Sequence, residues 1–317
     1  MKQMGYDKYM MSIDKRLSKQ DKLTVLDGAT GTEIYRRGVL SYDVPWALGG
    51  LVYNPQILRQ IHYDYFTQGA HVVTANCFYT TGMALRNTRL AGMEKSLTFL
   101  GVLLAQQAEI QAHQKGITQE TCVAGNVAPL ETENPYDPTT APLRSIAITE
   151  HRIKIQNLIE AGADFILIET MPTLYEAEAA LEASSQVSPK PIIWMSFSCD
   201  ETGTLWGGET MKEVADLVES YSPKAVLINC TPIEGVTRAL RELSRNNLSM
   251  PLGGYANVEK QVYEGSMTWD RIEDLTSKDY AEKCKEWWEL GARIIGGCCG
   301  TTPEDIGEVV RAFEDKI

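Results

Sequence analysis

The segment Ala161-Gly162-Ala163-Asp164-Phe165-Ile166-Leu167-Ile168-Glu169-Thr170 contains the pattern that decides the fold. Its small-residue corner is suited to a left-handed cap at the end of a helix, and the apolar run after it has the length of a buried strand. The corner recurs as Gln68-Gly69-Ala70 and as Leu290-Gly291-Ala292, each before another apolar run. We interpret the chain as a repeated module of helix, glycine corner and strand.

Eight apolar runs alternate with segments whose apolar residues have helical spacing. The runs are Thr24–Ala29, Val72–Phe78, Cys122–Pro129, Phe165–Thr170, Ile192–Phe197, Ala225–Cys230, Leu252–Asn257 and Arg293–Cys299. Strands that alternate with helices pair in parallel through right-handed crossovers, and eight of them favour a closed barrel over an open, doubly wound sheet. The sequence therefore predicts an α/β fold, a single (β/α)8 TIM barrel.

The length of 317 residues suits one such barrel, and no linker rich in Gly, Ser or charge divides the chain. We predict a polar N-terminal extension at residues 1–22 and the barrel domain at residues 23–317. Asn54-Pro55 and Thr302-Pro303 have the pattern of helix starts. The irregular, proline-rich segment Leu130–Arg144 follows the third run, so we expect it at the catalytic rim as a lid.

The composition excludes several classes of partner. Asp and Glu number 42 against 30 Lys and Arg, so the surface field repels nucleic acid and anionic lipid. No apolar run approaches the roughly 20 residues of a membrane helix, and the N-terminus lacks the apolar core of a secretory signal. The seven cysteines, an odd number with two adjacent, indicate thiols or metal ligands rather than disulfides. We expect a cytoplasmic protein.

Three cysteines follow predicted strands whose carboxyl ends meet at one mouth of the barrel. Cys230 ends the sixth run, and Cys298 and Cys299 end the eighth, about seventy residues later. Three thiolates with an open fourth position suit a catalytic tetrahedral Zn²⁺. Adjacent cysteines also occur as small apolar residues, and Cys77 at the same rim is a competing ligand. The convergence of the three favours a metal site.

Four motifs together resemble the homocysteine S-methyltransferase family from about Thr24 to Phe313. They are Leu26-Asp27-Gly28-Ala29-Thr30-Gly31-Thr32, Gly162-Ala163-Asp164 leading to Glu169-Thr170, Ile228-Asn229-Cys230, and Gly296-Gly297-Cys298-Cys299-Gly300-Thr301-Thr302-Pro303. The resemblance implies a zinc held by Cys230, Cys298 and Cys299, with the homocysteine sulfur as fourth ligand and methionine as product. A free thiol with a pKa of about 8.5 is mostly protonated at neutral pH, whereas a coordinating thiol is deprotonated, so such a site needs no catalytic base.

A homocysteine substrate carries an ammonium and a carboxylate that the site must hold. Asp27 and Glu169, at the ends of the first and fourth runs, are candidates for the ammonium, and the backbone N–H groups of Gly28 and Ala29 for the carboxylate. By resemblance these are the family's amino-acid-binding positions. Asn229 completes the predicted substrate-binding set.

Methyl donors of such enzymes are sulfonium or quaternary ammonium compounds, which aromatic faces bind well. Trp46 and Tyr79, after the first and second runs, resemble the donor-binding aromatics of the betaine-using branch. Further candidates are Trp206, Tyr136 and Tyr255. A sulfonium donor ranks first because it gives up its methyl group more readily than a quaternary ammonium compound. The donor, a selenohomocysteine acceptor, a homo-oligomeric state and the role of residues 1–22 stay open.

Three alternatives to this function remain. One is a homocysteine-binding barrel subunit that works with a separate corrinoid or folate methyl-carrier protein. Another is a zinc-stabilised barrel that has lost catalysis and acts as a binding partner. The third is an enzyme with a rim cysteine as covalent nucleophile, which predicts activity without metal.

Overall fold

Eight parallel strands form one sheet in the computed structural model, which describes residues 16–17, 21–130, 134–263 and 267–317. These strands are β1 (Thr24–Val25), β2 (Val72–Thr74), β3 (Cys122–Val127), β4 (Phe165–Met171), β5 (Ile193–Phe197), β6 (Ala225–Pro232), β7 (Leu252–Asn257) and β10 (Ala292–Gly297). Their order is β1-β10-β7-β6-β5-β4-β3-β2, and a parallel bridge between Leu26 and Val72 joins its two ends. The predicted (β/α)8 TIM barrel is confirmed.

Helices follow the strands and cover the outside of the barrel. They are α1 (Gly31–Arg36), α2 (Gly49–Tyr53), α3 (Pro55–Thr67), α4 (Gly82–Leu85), α5 (Glu94–Gln114), α6 (Arg144–Ala161), α7 (Leu174–Ser185), α8 (Met211–Tyr221), α9 (Ile233–Ser244), α10 (Ser277–Glu289) and α11 (Pro303–Ala312), before a 3₁₀ turn (Glu314–Lys316). No helix in the described ranges is long and apolar enough to cross a membrane.

The signals at the helix ends have the predicted physical effect. The Asn54 side chain accepts from the N–H of Ile57 at the start of α3, and Thr302 forms a reciprocal cap with Asp305 at the start of α11. After α6, Gly162 has a φ of 91°, the left-handed conformation that the small-residue corner requires. The two N-caps fix where α3 and α11 begin, and Gly162 turns the chain from α6 into β4.

Alternate strand residues fill the barrel with apolar side chains, among which the rings of Phe165 and Trp194 lie 4.4 Å apart between centroids. Leu17, from the predicted N-terminal extension, packs against this inner cluster, and Arg16 donates to the carbonyl of Leu23 at 2.6 Å. The remainder of that extension before Asp21 lies outside the described residues, as do residues 131–133 of the predicted rim loop. The two described side chains thus contact the barrel at the amino-terminal side of β1.

A two-stranded hairpin is the one strand pair in the described chain that the sequence pattern did not predict. Its strands, β8 (Glu259–Tyr263) and β9 (Met267–Arg271), are antiparallel and lie between β7 and α10. Each strand mixes polar and apolar residues over five positions, so neither forms the continuous apolar run that identifies the barrel strands. The hairpin follows the carboxyl end of β7, on the side of the barrel where the site lies.

Candidate metal and substrate site

The three predicted cysteines lie together at the carboxyl end of the barrel. The sulfur atoms of Cys230, Cys298 and Cys299 all lie within 4.8 Å of one another, and Cys230 Sγ is 3.7 Å from Cys299 Sγ. Four ligands at tetrahedral angles and Zn–S bonds of about 2.3 Å would place two sulfur atoms about 3.8 Å apart. The donor set and its spacing therefore fit a zinc ion. In the described part of the chain, no other group of three His, Cys, Asp or Glu side chains has this arrangement.

The backbone is strained at two strand ends, one of which carries the thiol of Cys230. Cys230 and Thr170 have φ values of 50° and 64°, and the register of β6 with β7 and of β4 with β5 is irregular at these residues. Such conformations cost about 1–3 kcal/mol each and persist where neighbouring contacts hold them. Asn229, next to Cys230 in the chain, supplies those contacts for Thr170: its Oδ1 accepts from the N–H of Thr170 at 2.9 Å and from Ser196 Oγ at 2.6 Å, and its Nδ2 donates to Thr170 Oγ1.

The turn after β10 holds the other two thiols through its backbone. The N–H of Cys299 donates to Asn257 Oδ1 at 3.1 Å, and the N–H of Gly300 donates to Thr32 Oγ1 at 3.0 Å. Thr301 Oγ1 donates to the carbonyl of Cys298 at 2.8 Å. Gly300 has a φ of 86°, so a side chain at this position would be strained.

Two arginines that form ion pairs, Arg36 and Arg271, lie beside the carbonyl of Gly300. Arg36 donates to this carbonyl at 3.1 Å and to Glu259 Oε1 at 2.9 Å, so it joins α1 to the start of the hairpin. Arg271, at the end of β9, forms two hydrogen bonds with Asp305 at 2.7 and 3.0 Å. The hairpin that the sequence did not reveal thus supplies part of the support for the cysteine turn.

Hydrogen bonds among the three thiols shift their pKa values in opposite directions. Hydrogen bonds from the thiols of Cys298 and Cys299 hold the pKa of Cys230 well below its usual range. The same hydrogen bonds to Cys230 raise the pKa of Cys298 and of Cys299. These shifts favour ionisation at Cys230 over ionisation at Cys298 or Cys299.

Two carboxyl groups lie deep in the same mouth. Asp27 accepts from the N–H of Thr74 at 2.8 Å, and burial raises its pKa well above the usual range. Glu169 accepts from Tyr255 OH at 2.9 Å and from the Asn126 amide, and burial raises its pKa to about 7. Proximity of Glu169 also raises the pKa of Asp27. Two buried acids lie close enough for the charge of one to disfavour the charge of the other, so a cation bound between them would stabilise both carboxylates.

The cysteines and the two acids line one cavity of about 510 Å³ at the carboxyl end of the barrel. Aromatic side chains form much of the remaining wall: Trp46, Phe78, Tyr79, Tyr136, Trp206 and Tyr255. Tyr136, from the rim loop, packs against Trp206 with the rings tilted by 40° and their centroids 5.4 Å apart, and its hydroxyl lies 3.0 Å from Cys230 Sγ. A molecule bound here would contact thiols, acids and aromatic rings at once.

Most predicted site residues line this cavity, with two differences in how they are used. Gly28, Ala29, Trp46 and Tyr79 are in the lining, but the N–H of Ala29 already donates to Thr301 Oγ1 at 3.0 Å. Asn229 is fully buried and outside the lining, and its amide joins strand ends instead.

Cys77, the competing ligand, is separate from the three-sulfur group. Cys77 is in the cavity lining, but its thiol is buried against α5, where Sγ lies 3.6 Å from the carbonyl oxygen of Thr98.

Sequence reasoning missed Thr74 and Thr301. Thr74 ends β2, and Thr301 lies inside the glycine-cysteine motif. A threonine at either place has no distinctive pattern in a single sequence, because its role depends on which loop packs beside it. The sequence could have indicated Thr301, because it lies two residues after the predicted ligand Cys299.

The chain is similar to known proteins over nearly its whole length. The family model for homocysteine S-methyltransferase matches residues 24–313. The chain is 31% identical to homocysteine S-methyltransferase YbgG of Bacillus subtilis, over 90% of this chain and 93% of that protein. It is 32% identical to homocysteine S-methyltransferase of Escherichia coli, over 92% and 94% of the two chains. The crystal structure of the metallated homocysteine methyltransferase MmuM from Escherichia coli superposes with a TM-score of 0.78 at 30% identity, covering 92% of this chain and 96% of that one.

Proposed function

This chain belongs to the homocysteine S-methyltransferase family and is an enzyme that transfers a methyl group to homocysteine. From this premise we propose that its metal is zinc and that its methyl donor is a sulfonium compound. The observation that carries this proposal is the group of three thiols in one cavity with two buried acids and several aromatic rings. A relative crystallised in a metallated form supports a metal at this site.

The three thiols themselves favour zinc over the harder divalent ions. Thiolate ligands select soft or borderline metals, whereas magnesium and calcium prefer oxygen. Cys230, Cys298 and Cys299 would hold the ion at the wall of the cavity that would also receive the substrate. When bound, zinc lowers the pKa of a thiol and keeps it as the nucleophilic thiolate at neutral pH.

The two acids position the amino acid. Asp27 and Glu169, fixed by Thr74, Asn126 and Tyr255, offer carboxylate oxygens to an ammonium, and the ammonium removes the cost of two neighbouring buried charges. Of the two predicted N–H donors for the substrate carboxylate, Gly28 is retained in the proposal. The N–H of Ala29 is engaged by Thr301.

The donor side is formed by Trp46, Phe78 and Tyr79, which we call the donor wall. Phe78 and Tyr79 pack edge to face with centroids 4.9 Å apart, and all three line the cavity. Aromatic faces stabilise a methylated cation more than the neutral product that remains after transfer. We therefore propose S-methylmethionine or another sulfonium as donor, with betaine second.

Side-by-side assays with S-methylmethionine, S-adenosylmethionine, betaine and methylcobalamin test the donor. The proposal expects turnover with a sulfonium. Turnover with methylcobalamin alone would contradict the donor wall and favour a subunit that works with a corrinoid carrier. Absence of turnover with every donor, in protein that binds metal, would favour the non-catalytic barrel.

Replacing Trp46 with alanine is expected to raise the KM for a cationic donor several- to roughly thirtyfold, the scale of a lost cation–π contact of about 0.5–2 kcal/mol. The KM for homocysteine should not change, because Trp46 lies on the donor side. Trp46→Phe is the matched control, since it retains an aromatic face and should recover most of the affinity. Steady-state kinetics with each substrate varied in turn measures both constants. An equal rise in the two KM values would show a general distortion of the cavity.

Loss of the ion pair that supports the cysteine turn is expected to speed metal release. Arg36→Met removes the nearer of two donors to the Gly300 carbonyl, the other being Arg271 at 3.5 Å, and a partly exposed contact of about 1 kcal/mol corresponds to roughly fivefold in rate. Zinc transfer to a colorimetric chelator measures this rate. Arg37→Met is the control, because Arg37 pairs with Glu33 and Asp64 and does not contact Gly300. Equal release rates in the two variants would contradict the supporting role.

The location that suits this site is the cytoplasm. All seven cysteines are free thiols, and the proposed ligands must stay reduced to bind metal. We therefore propose that the enzyme works in that reducing compartment.

A further inference from the structure

Lys154 of α6 is a buried cation that the mechanism above does not use. Its side chain is 1% exposed, and its Nζ donates to the carbonyl of Cys77 at 2.6 Å and to Thr80 Oγ1. Within the described ranges it has no carboxylate partner, and burial lowers its pKa to about 8. Burying an ammonium without a counter-ion costs desolvation free energy unless hydrogen-bond acceptors replace the lost water. The Cys77 carbonyl and Thr80 Oγ1 are those acceptors for Lys154.

Both acceptors belong to one tight turn, Cys77–Thr80. The N–H of Thr80 closes this turn on the Cys77 carbonyl at 3.1 Å, and Thr80 Oγ1 also lies 3.1 Å from that carbonyl. Phe78 and Tyr79 occupy the two central positions of the turn, and both line the cavity. The carbonyl that Lys154 binds therefore sets the orientation of the peptide that carries two residues of the donor wall.

The same turn is tied to a second helix. Thr80 Oγ1 lies 2.7 Å from Thr98 Oγ1 of α5, and the Cys77 thiol donates to the Thr98 carbonyl at 3.6 Å. Just beyond the turn, Glu150 of α6 accepts from the N–H of Met83 at 3.3 Å. Of these anchors, the lysine is the charged donor, and a hydrogen bond from a charged group is the strongest kind.

We propose that Lys154 is a positioning residue for the methyl donor: it fixes the Cys77–Thr80 turn so that Phe78 and Tyr79 face the bound donor. The inference rests on the proposed donor wall. It adds that donor binding depends on Lys154, a cation that does not contact the donor and acts through the Cys77–Thr80 turn. The homocysteine side is independent of it, because Asp27 and Glu169 are held by Thr74, Asn126 and Tyr255.

The test is the separation of the two KM values in Lys154→Met. This variant keeps an unbranched side chain that is one atom shorter and removes the donor, so the Cys77 carbonyl loses a charged partner. The KM for the sulfonium donor should rise roughly tenfold, as expected for a buried acceptor left without its donor. The KM for homocysteine and the zinc content should stay at wild-type values. Lys154→Arg retains a cationic donor and should recover most of the donor affinity.

Two further variants make the result specific. Arg152→Met removes an exposed cation from the same helix and should change neither KM. Thr80→Val removes the second acceptor and should raise the donor KM in the same direction by a smaller factor. Thr80→Val also keeps the inference testable if Lys154→Met does not fold.

The outcomes distinguish this inference from the proposed function. If Trp46→Ala raises the donor KM and neither Lys154→Met nor Thr80→Val does, the positioning role is wrong and the donor wall stands. If the Lys154 and Thr80 variants raise both KM values equally, the lysine is structural and the inference is overturned. If neither Trp46→Ala nor these variants alter the KM of any donor, the donor wall is wrong and the inference with it.

Discussion

Serine in place of Cys298 is expected to abolish both metal binding and methyl transfer. Cys298 is one of three sulfur atoms that lie within 4.8 Å of one another, and no fourth cysteine of the described chain joins that group. A serine hydroxyl does not ionise near neutral pH and binds zinc poorly. Loss even of an outer contact costs a metal site 10- to 100-fold, so loss of a direct ligand should weaken binding by more than about a hundredfold.

The measurement has two parts, the metal content of purified protein and turnover before and after added zinc. The wild-type chain should hold one zinc, lose activity on chelation and regain it with zinc. Cys284→Ala is the control, because Cys284 is a buried thiol of α10 outside the three-sulfur group, and this variant should retain its zinc. Undiminished activity in Cys298→Ser, or full activity in rigorously zinc-free protein, would contradict the proposal. The second result would favour the alternative of a cysteine nucleophile.

The barrel was predictable because its signals are local and repeated. Each strand is a continuous apolar run, since both faces of a parallel barrel are buried, and Gly162 marks the corner between α6 and β4. The hairpin between β7 and α10 was not predictable from that rule. One of its strands begins at Glu259, which binds Arg36 across more than two hundred residues of sequence, and no local pattern encodes such a partner.

The site was predictable in its ligands and less so in its supporting contacts. Strand ends meet at one mouth of a barrel, so locating three cysteines there needs the topology alone. The role of Asn229 required coordinates, because its amide binds the strained Thr170 of β4 and Ser196 of β5 instead of reaching the cavity. Left-handed backbone at Thr170 and Cys230 is unfavourable for both residue types, so sequence preference predicts the opposite conformation.

Lys154 illustrates the limit of the helical pattern. The buried face of α6 contains His151, Lys154, Ile155 and Leu158, while Ile146 and Ile153 are exposed. Hydrophobic periodicity alone assigns the lysine to solvent and the two isoleucines to the core. Lys154 is accommodated on the buried face because the turn at Cys77 offers acceptors that a donor side chain satisfies. A departure from the apolar pattern of this kind is a reason to look for a functional contact.

Replacing Glu169 with glutamine is expected to raise the KM for homocysteine roughly ten- to hundredfold, the effect of losing one charge-assisted contact of about 1.5–3 kcal/mol. Asp27→Asn should have a similar effect, and zinc content should stay intact in both variants. The reason is that burial disfavours the charged form of each acid, as its raised pKa shows, so an ammonium bound beside the two acids would stabilise their carboxylates. The two substitutions should not be additive, because both acids bind the same ammonium.

Asp164→Asn is the matched control for this experiment. Asp164 precedes the same strand β4 at its opposite end, burial raises its pKa to about 7 as for Glu169, and its carboxylate accepts from the N–H of Val123 at 2.7 Å. Loss of a buried carboxylate as such therefore affects Asp164 and Glu169 alike, whereas loss of ammonium binding affects Glu169 alone. Isothermal titration with homocysteine should show weakened binding in the Glu169 and Asp27 variants and unchanged binding in Asp164→Asn. Wild-type affinity in both site variants would mean that the ammonium binds elsewhere in the cavity.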